Sequence, residues 1–316
     1  MKFLERLNNI RSRELIRYIW TAGLAFAVIA LMFFGYYYND RYVRVGDKSP
    51  LDISIDQLEI AVRDNPEDPQ ARVALAEFYL GKGLYSQAIE QTDQVLITFP
   101  ENTGALLISG ITYTRSGQSQ MAIEPLEKFI ELRKDSPMAM SDTALQTAYY
   151  FLGENYNLLS QPEKALPALE SALQINSTDA DALYQAGMST QAMNEHEKAI
   201  EFFHKAVQFV PDFTEAYASM IKSYTSLDKP DHADYARGMQ AFSIKDYKTA
   251  QKYLESARKG LPDFAPLYFG LSLTYEQLNR LDDALNTIKI AAQLDPNNFS
   301  IQQAQGRIEA ALKAQG

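Results

Sequence analysis

Three histidines, forty carboxylates and no cysteine set the limits on what chemistry this chain could perform. Without cysteine there is no thiolate nucleophile, no thiolate metal ligand and no disulfide, and the redox compartment stays open. His196-Glu197 begins the H-E-x-x-H pattern, in which two histidines one helical turn apart grip zinc. The fifth position is Ile200, so that pair is never completed. His204 and His232 fall on different helical segments with no carboxylates at ligand spacing, and read as surface or packing residues. No G-x-x-x-x-G-K-S/T loop or G-x-G-x-x-G turn offers its backbone to phosphate, and no G-x-S-x-G elbow presents a serine. Asn176-Ser177-Thr178 and Asn298-Phe299-Ser300 match the glycosylation pattern, but sit where turns favour Asn and Ser anyway. The expectation is no catalysis, no metal, no cofactor and no small-molecule substrate.

Charge narrows the partners further. The net charge of −10 over 316 residues hides an asymmetry: residues 1–48 carry eight Lys/Arg against four Asp/Glu. That end is net +4, which leaves −14 on the rest. A body so acidic repels phosphate backbones and argues against nucleic acid. The basic end adjoins an apolar run, which points to membrane topology.

Between Tyr18 and Asn39 no residue is charged, and residues 18–38 are long enough for one transmembrane helix. Tyr18 and Trp20 at one end, with Tyr36, Tyr37 and Tyr38 at the other, match the aromatic belts of the two interfaces. Gly35 and the tyrosines after it offer no small-residue cleavage site, so an uncleaved anchor is expected. Five basic residues precede the span (Lys2, Arg6, Arg11, Arg13, Arg17) and three follow it (Arg41, Arg44, Lys48). That balance puts the N-terminus in the cytoplasm and the body outside it. Residues 1–17 carry Phe3, Leu4, Leu7 and Ile10 on one face and form a basic amphipathic segment suited to headgroups. Gly23 and Ala27 make a small-xxx-small pair of the kind that supports a homodimer in the bilayer.

The elements that fill the rest of the chain are repeats. A small residue, an aromatic three positions on, and an Ala twelve positions after the small residue recur together. They are Ala76, Tyr79 and Ala88; Gly110, Tyr113 and Ala122; Gly153, Tyr156 and Ala165; and Gly187 with Ala199. Pro100, Pro211 and Pro296 mark unit ends, and Tyr275, Ala284 and Ala291 belong to the last full unit. The unit-to-unit step is 34 residues in several cases, the signature of stacked helical hairpins. Two steps differ. Gly110 to Gly153 is 43 residues, with the surplus around Pro137-Met138-Ala139-Met140. Ile221, Tyr224 and Ala233 mark a fifth unit, but Gly238, Ala250, Ala257 and Pro262 mark a sixth only 17 residues later. One helix, about Asp231–Ile244, is therefore predicted to serve as helix B of one unit and helix A of the next, with a change of curvature there.

This pattern over residues 69–298 resembles the tetratricopeptide-repeat (TPR) family. The resemblance implies an all-α, right-handed solenoid of about seven helix pairs, closed by a capping helix at 299–316. Residues 39–68 are then a linker with a short capping helix. In that family the concave surface is lined by helix A side chains. Transferring its positions gives Val73, Glu77 and Leu80; Leu107, Ile111 and Arg115; and Tyr150, Glu154 and Asn157. Further along it gives Tyr184, Met188 and Gln191; Ala218 and Lys222; Tyr235, Met239 and Phe242; and Phe269, Leu273 and Glu276. The aromatic and Met content suits a protein or peptide offering apolar side chains. Arg115 and Lys222 are too sparse for a clamp on a carboxylate. The layout is similar to bacterial inner-membrane TPR proteins, and implies a membrane-anchored scaffold for client proteins. A permanent subunit of a membrane complex and a cytosol-facing organelle receptor remain as alternatives.

Overall fold

The computed structural model describes residues 20, 21, 23, 26, 32, 33 and 50–315. The chain divides into two compact units, residues 1–78 and 79–316. In the first, α1 (Pro50–Asp64) is followed by α2 (Pro69–Gly81), whose end passes into the second unit. Asp68 starts α2 by accepting from the Gln70 amide at 2.9 Å, and Arg72 Nε donates to the Pro66 carbonyl at 2.8 Å. Ile55, Leu75 and Ala76 are buried.

The second unit continues with α3 (Tyr85–Thr98), α4 (Thr103–Arg115), α5 (Ser119–Arg133), α6 (Thr143–Leu158) and α7 (Pro162–Ile175). After these come α8 (Ala180–Ala192), α9 (His196–Phe209), α10 (Thr214–Ser226), α11 (Pro230–Ser243) and α12 (Tyr247–Ala257). The last are α13 (Ala265–Gln277), α14 (Leu281–Leu294) and α15 (Phe299–Gln315). Among the described residues every regular element is helical.

What cuts the chain into hairpins is a recurring helix stop. Gly83, Gly117, Ser160, Asn194, Asp228, Lys245 and Asn279 all have positive φ, at spacings of 34, 43, 34, 34, 17 and 34 residues. The residue after each donates its amide five residues back, as from Leu84 to Tyr79, Gln118 to Tyr113 and Arg280 to Tyr275, at 2.8–2.9 Å. This left-handed stop satisfies carbonyls that the helix end would leave bare. The two irregular intervals fall where the sequence spacing predicts them.

The hairpins interlock through small residues. A Cβ at Gly110 would lie 2.5 Å from Leu126 Cγ, and one at Gly238 would lie 2.5 Å from Leu254 Cγ. Leu169 stands over Gly153 and Phe203 over Gly187 in the same way. In each pair the large residue lies on the second helix of the hairpin and is fully buried. A missing side chain lets a knob from the partner helix reach the backbone. The fifth unit lacks this interlock: Ile221 takes the small position, and its opposite number is Arg237, which pairs with Asp234 at 2.7 Å.

Both irregular steps have structural content. The surplus residues after α5 form a 3-10 turn at Ala139–Ser141. Asp142 then caps α6 through the Ala144 and Leu145 amides and is held by Arg133 at 2.7 Å. The shorter step makes α11 common to two hairpins, since it packs on α10 before it and on α12 after it. Next-neighbour contacts change parity at that point, linking α4, α6, α8 and α10 up to it and α11, α13 and α15 beyond it. At the far end α15 turns Ile301, Ala304 and Ile308 inward and leaves Gln302 and Gly306 exposed.

The expected transmembrane helix at residues 18–38 lies almost wholly outside the described residues. So do the amphipathic segment 1–17, the linker up to residue 49, and the Gly23–Ala27 pairing, of which only Gly23 is described. Among the described residues no helix is long and apolar enough to cross a membrane. α1 begins at Pro50, within the stretch 39–68 expected to hold a linker and a short capping helix.

Candidate partner-binding site

Where the repeat register slips, the array forms a half-open cavity of about 480 Å³. Tyr235, Met239 and Phe242 of α11, Phe269 and Leu273 of α13, and Ile301 of α15 supply its apolar walls. His204, Val207 and Gln208 of α9 form the opposite side. α9 is a helix B, whose side chains an unbroken solenoid turns away from the groove. Sharing α11 between two hairpins is what brings it to face α13 and α15.

Local packing shapes this wall. Gly270 on α13 leaves room for Met239, whose Sδ sits 2.5 Å from where a Cβ would be. Across the rim Arg307 grips Glu276 through two hydrogen bonds of 2.7 Å, tying α15 to α13. His204 Nε2 lies 2.8 Å from Tyr224 Oη. Its ring stacks on Tyr235, centroids 6.4 Å apart, and meets the edge of Phe264 at 6.3 Å. Burial, with repulsion from His232, pushes the His204 imidazole down to about 4. Tyr235 is fully enclosed, and burial drives its phenol well above the ordinary value. These rings are neutral at physiological pH.

The predicted groove residues divide. Tyr235, Met239, Phe242 and Phe269 line the one cavity. Leu107 and Ile111 are half-buried against the core of α5–α7. Tyr184 and Met188 pack on the core of the later repeats, with the Tyr184 ring 4.9 Å from that of Phe213. Lys222 is exposed, and Arg115 lies over the Phe151 ring at 5.2 Å. Tyr150 meets Phe151 edge-on at 5.2 Å. Its phenol is raised first by burial and then by Glu154, whose own carboxyl is raised by burial.

Asn157 is engaged inside the array: its Nδ2 donates to the Gln185 carbonyl at 3.0 Å, and its Oδ1 accepts from Ser189 Oγ at 2.8 Å. One repeat later Gln191 Nε2 donates to the Ser219 carbonyl at 2.8 Å and to Ser223 Oγ at 2.6 Å. These amides stitch successive A helices together.

Sequence reasoning gave His204 only a surface or packing role and did not name Ile301 or Arg307, all of which line the cavity. The 17-residue step carried the signal for His204, because a helix shared between hairpins swaps which faces meet. No group of three or more metal-ligating side chains occurs among the described residues.

Tetratricopeptide-repeat family models match residues 51–103, 146–179, 181–212 and 241–313, together more than half of the chain. The chain belongs to the tetratricopeptide-repeat family, whose repeats are protein-interaction scaffolds. The crystal structure of MamA is 30% identical over 60% of this chain and 94% of that one, with a TM-score of 0.45. YrrB, described as a TPR protein with an unusual peptide-binding site, is 21% identical over 63% of this chain and 97% of that one, with a TM-score of 0.51. BBSome complex member BBS4 of Bos taurus is 24% identical over 60% of this chain and 35% of its own length. The chain spans half or less of the length of the first curated relatives it matches.

Proposed function

We propose that the chain is a membrane-tethered scaffold that holds a partner polypeptide by inserting its bulky apolar side chains between α9, α11, α13 and α15. The cavity carries this reading: about 480 Å³, walled by Tyr235, Met239, Phe242 and Phe269. That volume and lining suit anchor side chains, whose burial supplies affinity while the surrounding surface excludes water. The peptide-binding site named for YrrB agrees with it. A photo-crosslinking residue at Met239 should trap a partner in native membranes, while one at exposed Lys248 on α12 should not. Equal trapping at both positions would remove the cavity from the proposal.

The tether rests on the uncharged run from Tyr18 to Asn39. It is supported by Trp20, Phe26, Met32 and Phe33, helical residues that are each 70–76% exposed. Large apolar side chains left so bare mark a surface that something else covers. The proposed topology puts the N-terminus in the cytoplasm. Alkaline extraction should leave the full chain in membranes and release a chain lacking residues 1–48. Because the chain has no cysteine, a single Cys introduced at Ser116 reports which side the body occupies.

A further inference from the structure

We propose that the aromatic cluster around His204 is a pH-sensitive latch that holds the two walls of the cavity together. The latch regulates the cavity read above as a partner site, and rests on that reading for its purpose. Four segments around the register slip contribute rings. His204 comes from α9, Tyr224 from α10, His232 and Tyr235 from α11, and Phe264 from the turn before α13. His232 closes the cluster, its centroid 5.0 Å from that of Tyr224 and 5.4 Å from that of Phe264. Tyr235 and Phe264 meet edge-on at 5.0 Å.

The charged and titratable groups around this cage leave the His204 imidazole without a counter-ion. α10 offers Tyr217 and Tyr224, which are phenols. α11 offers Tyr235 and a second imidazole, His232, on which Lys229 and Asp231 act in opposite senses. α8 sends the Tyr184 ring against Phe203 rather than a charge. On α9 itself Lys205 lies over Phe202. Toward α15, Arg307 is paired with Glu276, and Asp295 accepts from Asn298 Nδ2 at 2.9 Å.

A proton on His204 is therefore unscreened by any facing carboxylate and stands beside another imidazole. The neutral ring suits the closed cage. His204 is part-buried at the cavity wall, and its imidazolium gains by the fuller contact with water that parting of α9 from α11 and the turn at Phe264 supplies. Acid below the ordinary histidine range thus favours an open cavity and release of whatever it holds.

The test needs no partner. Gln208 and Gln303 both line the cavity and are exposed, on α9 and α15. In a chain without cysteines, Gln208→Cys and Gln303→Cys provide the only two attachment points for spin labels. The full chain in detergent should show an interlabel distance that lengthens reversibly between about pH 7.5 and about pH 4.5. His204→Phe or His204→Gln, neither of which titrates, should hold the distance at its neutral-pH value. Whichever of the two folds cooperatively suffices. His232→Gln should move the opening to lower pH, because it removes a repulsion that disfavours the imidazolium in the closed cage. A distance constant down to about pH 4 overturns the latch, as does a change that persists in the His204 variants. A fixed distance together with a crosslink from Met239 would sink the latch and leave the partner site standing. Opening without any crosslink would do the reverse.

Discussion

The ring of Phe203 occupies the space in which a side chain at Gly187 would begin, and this one overlap fixes how closely α8 approaches α9. Phe203 is fully buried and cannot retreat. Gly187→Ala should therefore destabilise the protein by about 1–3 kcal/mol through overpacking, read from urea unfolding. Gly306→Ala gives the contrast. It occupies the corresponding helix A position on α15 with nothing within 4 Å, so alanine there should stabilise by about 0.5–1 kcal/mol.

Lys245 holds the left-handed stop between α11 and α12, with φ of 64°. A side chain with a Cβ is held there at a cost of about 1–2 kcal/mol, while glycine gives back about 0.5–1 kcal/mol in chain entropy. Lys245→Gly should raise the melting temperature, with a net gain of about 0.5–1 kcal/mol. Asn279→Gly, at φ of 57°, should gain less, because Asn tolerates that region.

Asn157 and Gln191 lie one repeat apart and make the same link to the next A helix. Asn157→Ala and Gln191→Ala should each cost about 1 kcal/mol, nearly additively because neither amide bonds to the other's partners. Crosslinking from Met239 should be unchanged in both.

The His204 latch has a thermodynamic counterpart. Folding lowers this imidazole from its model-compound value of 6.5 to about 4. Above the higher value neither folded nor unfolded chain holds the proton, and stability is independent of this group. Below it the unfolded chain takes up the proton while the folded one resists, so stability falls until pH reaches about 4 and then levels. Measured against His204→Phe, the wild-type protein should lose at most about 3 kcal/mol across that window, less whatever opening of the cage relieves. Parallel curves for the two proteins would refute the assignment.

Much of the architecture was legible before any coordinates, for a simple reason. The small residues answer to backbone sterics, which leave few alternatives at Gly110, Gly153 or Gly187. The 43- and 17-residue steps were legible on the same ground. The site was less so. Tyr235, Met239, Phe242 and Phe269 were chosen from positions that assume an even groove, and they share one cavity. Tyr184 and Met188 satisfied the same rule and pack, part-buried, on the core outside that cavity. A rule of positions does not know how far neighbouring repeats rotate. Asn157 reads as a free amide because its bonds reach residues 28 and 32 positions on, in α8, which no local pattern reveals. His204 could be read only as a surface or packing residue, because its surroundings depend on Phe264, a residue sixty positions away.

α11 belongs to two hairpins, and this alters how the protein comes apart. In an even array the terminal hairpin can fray without disturbing more than its neighbour. Loss of α11 deprives α10 and α12 of their partners at once, so the blocks on either side are bound into a single cooperative event. Its amides should be among the slowest in the chain to exchange with solvent, although the helix lies away from either terminus.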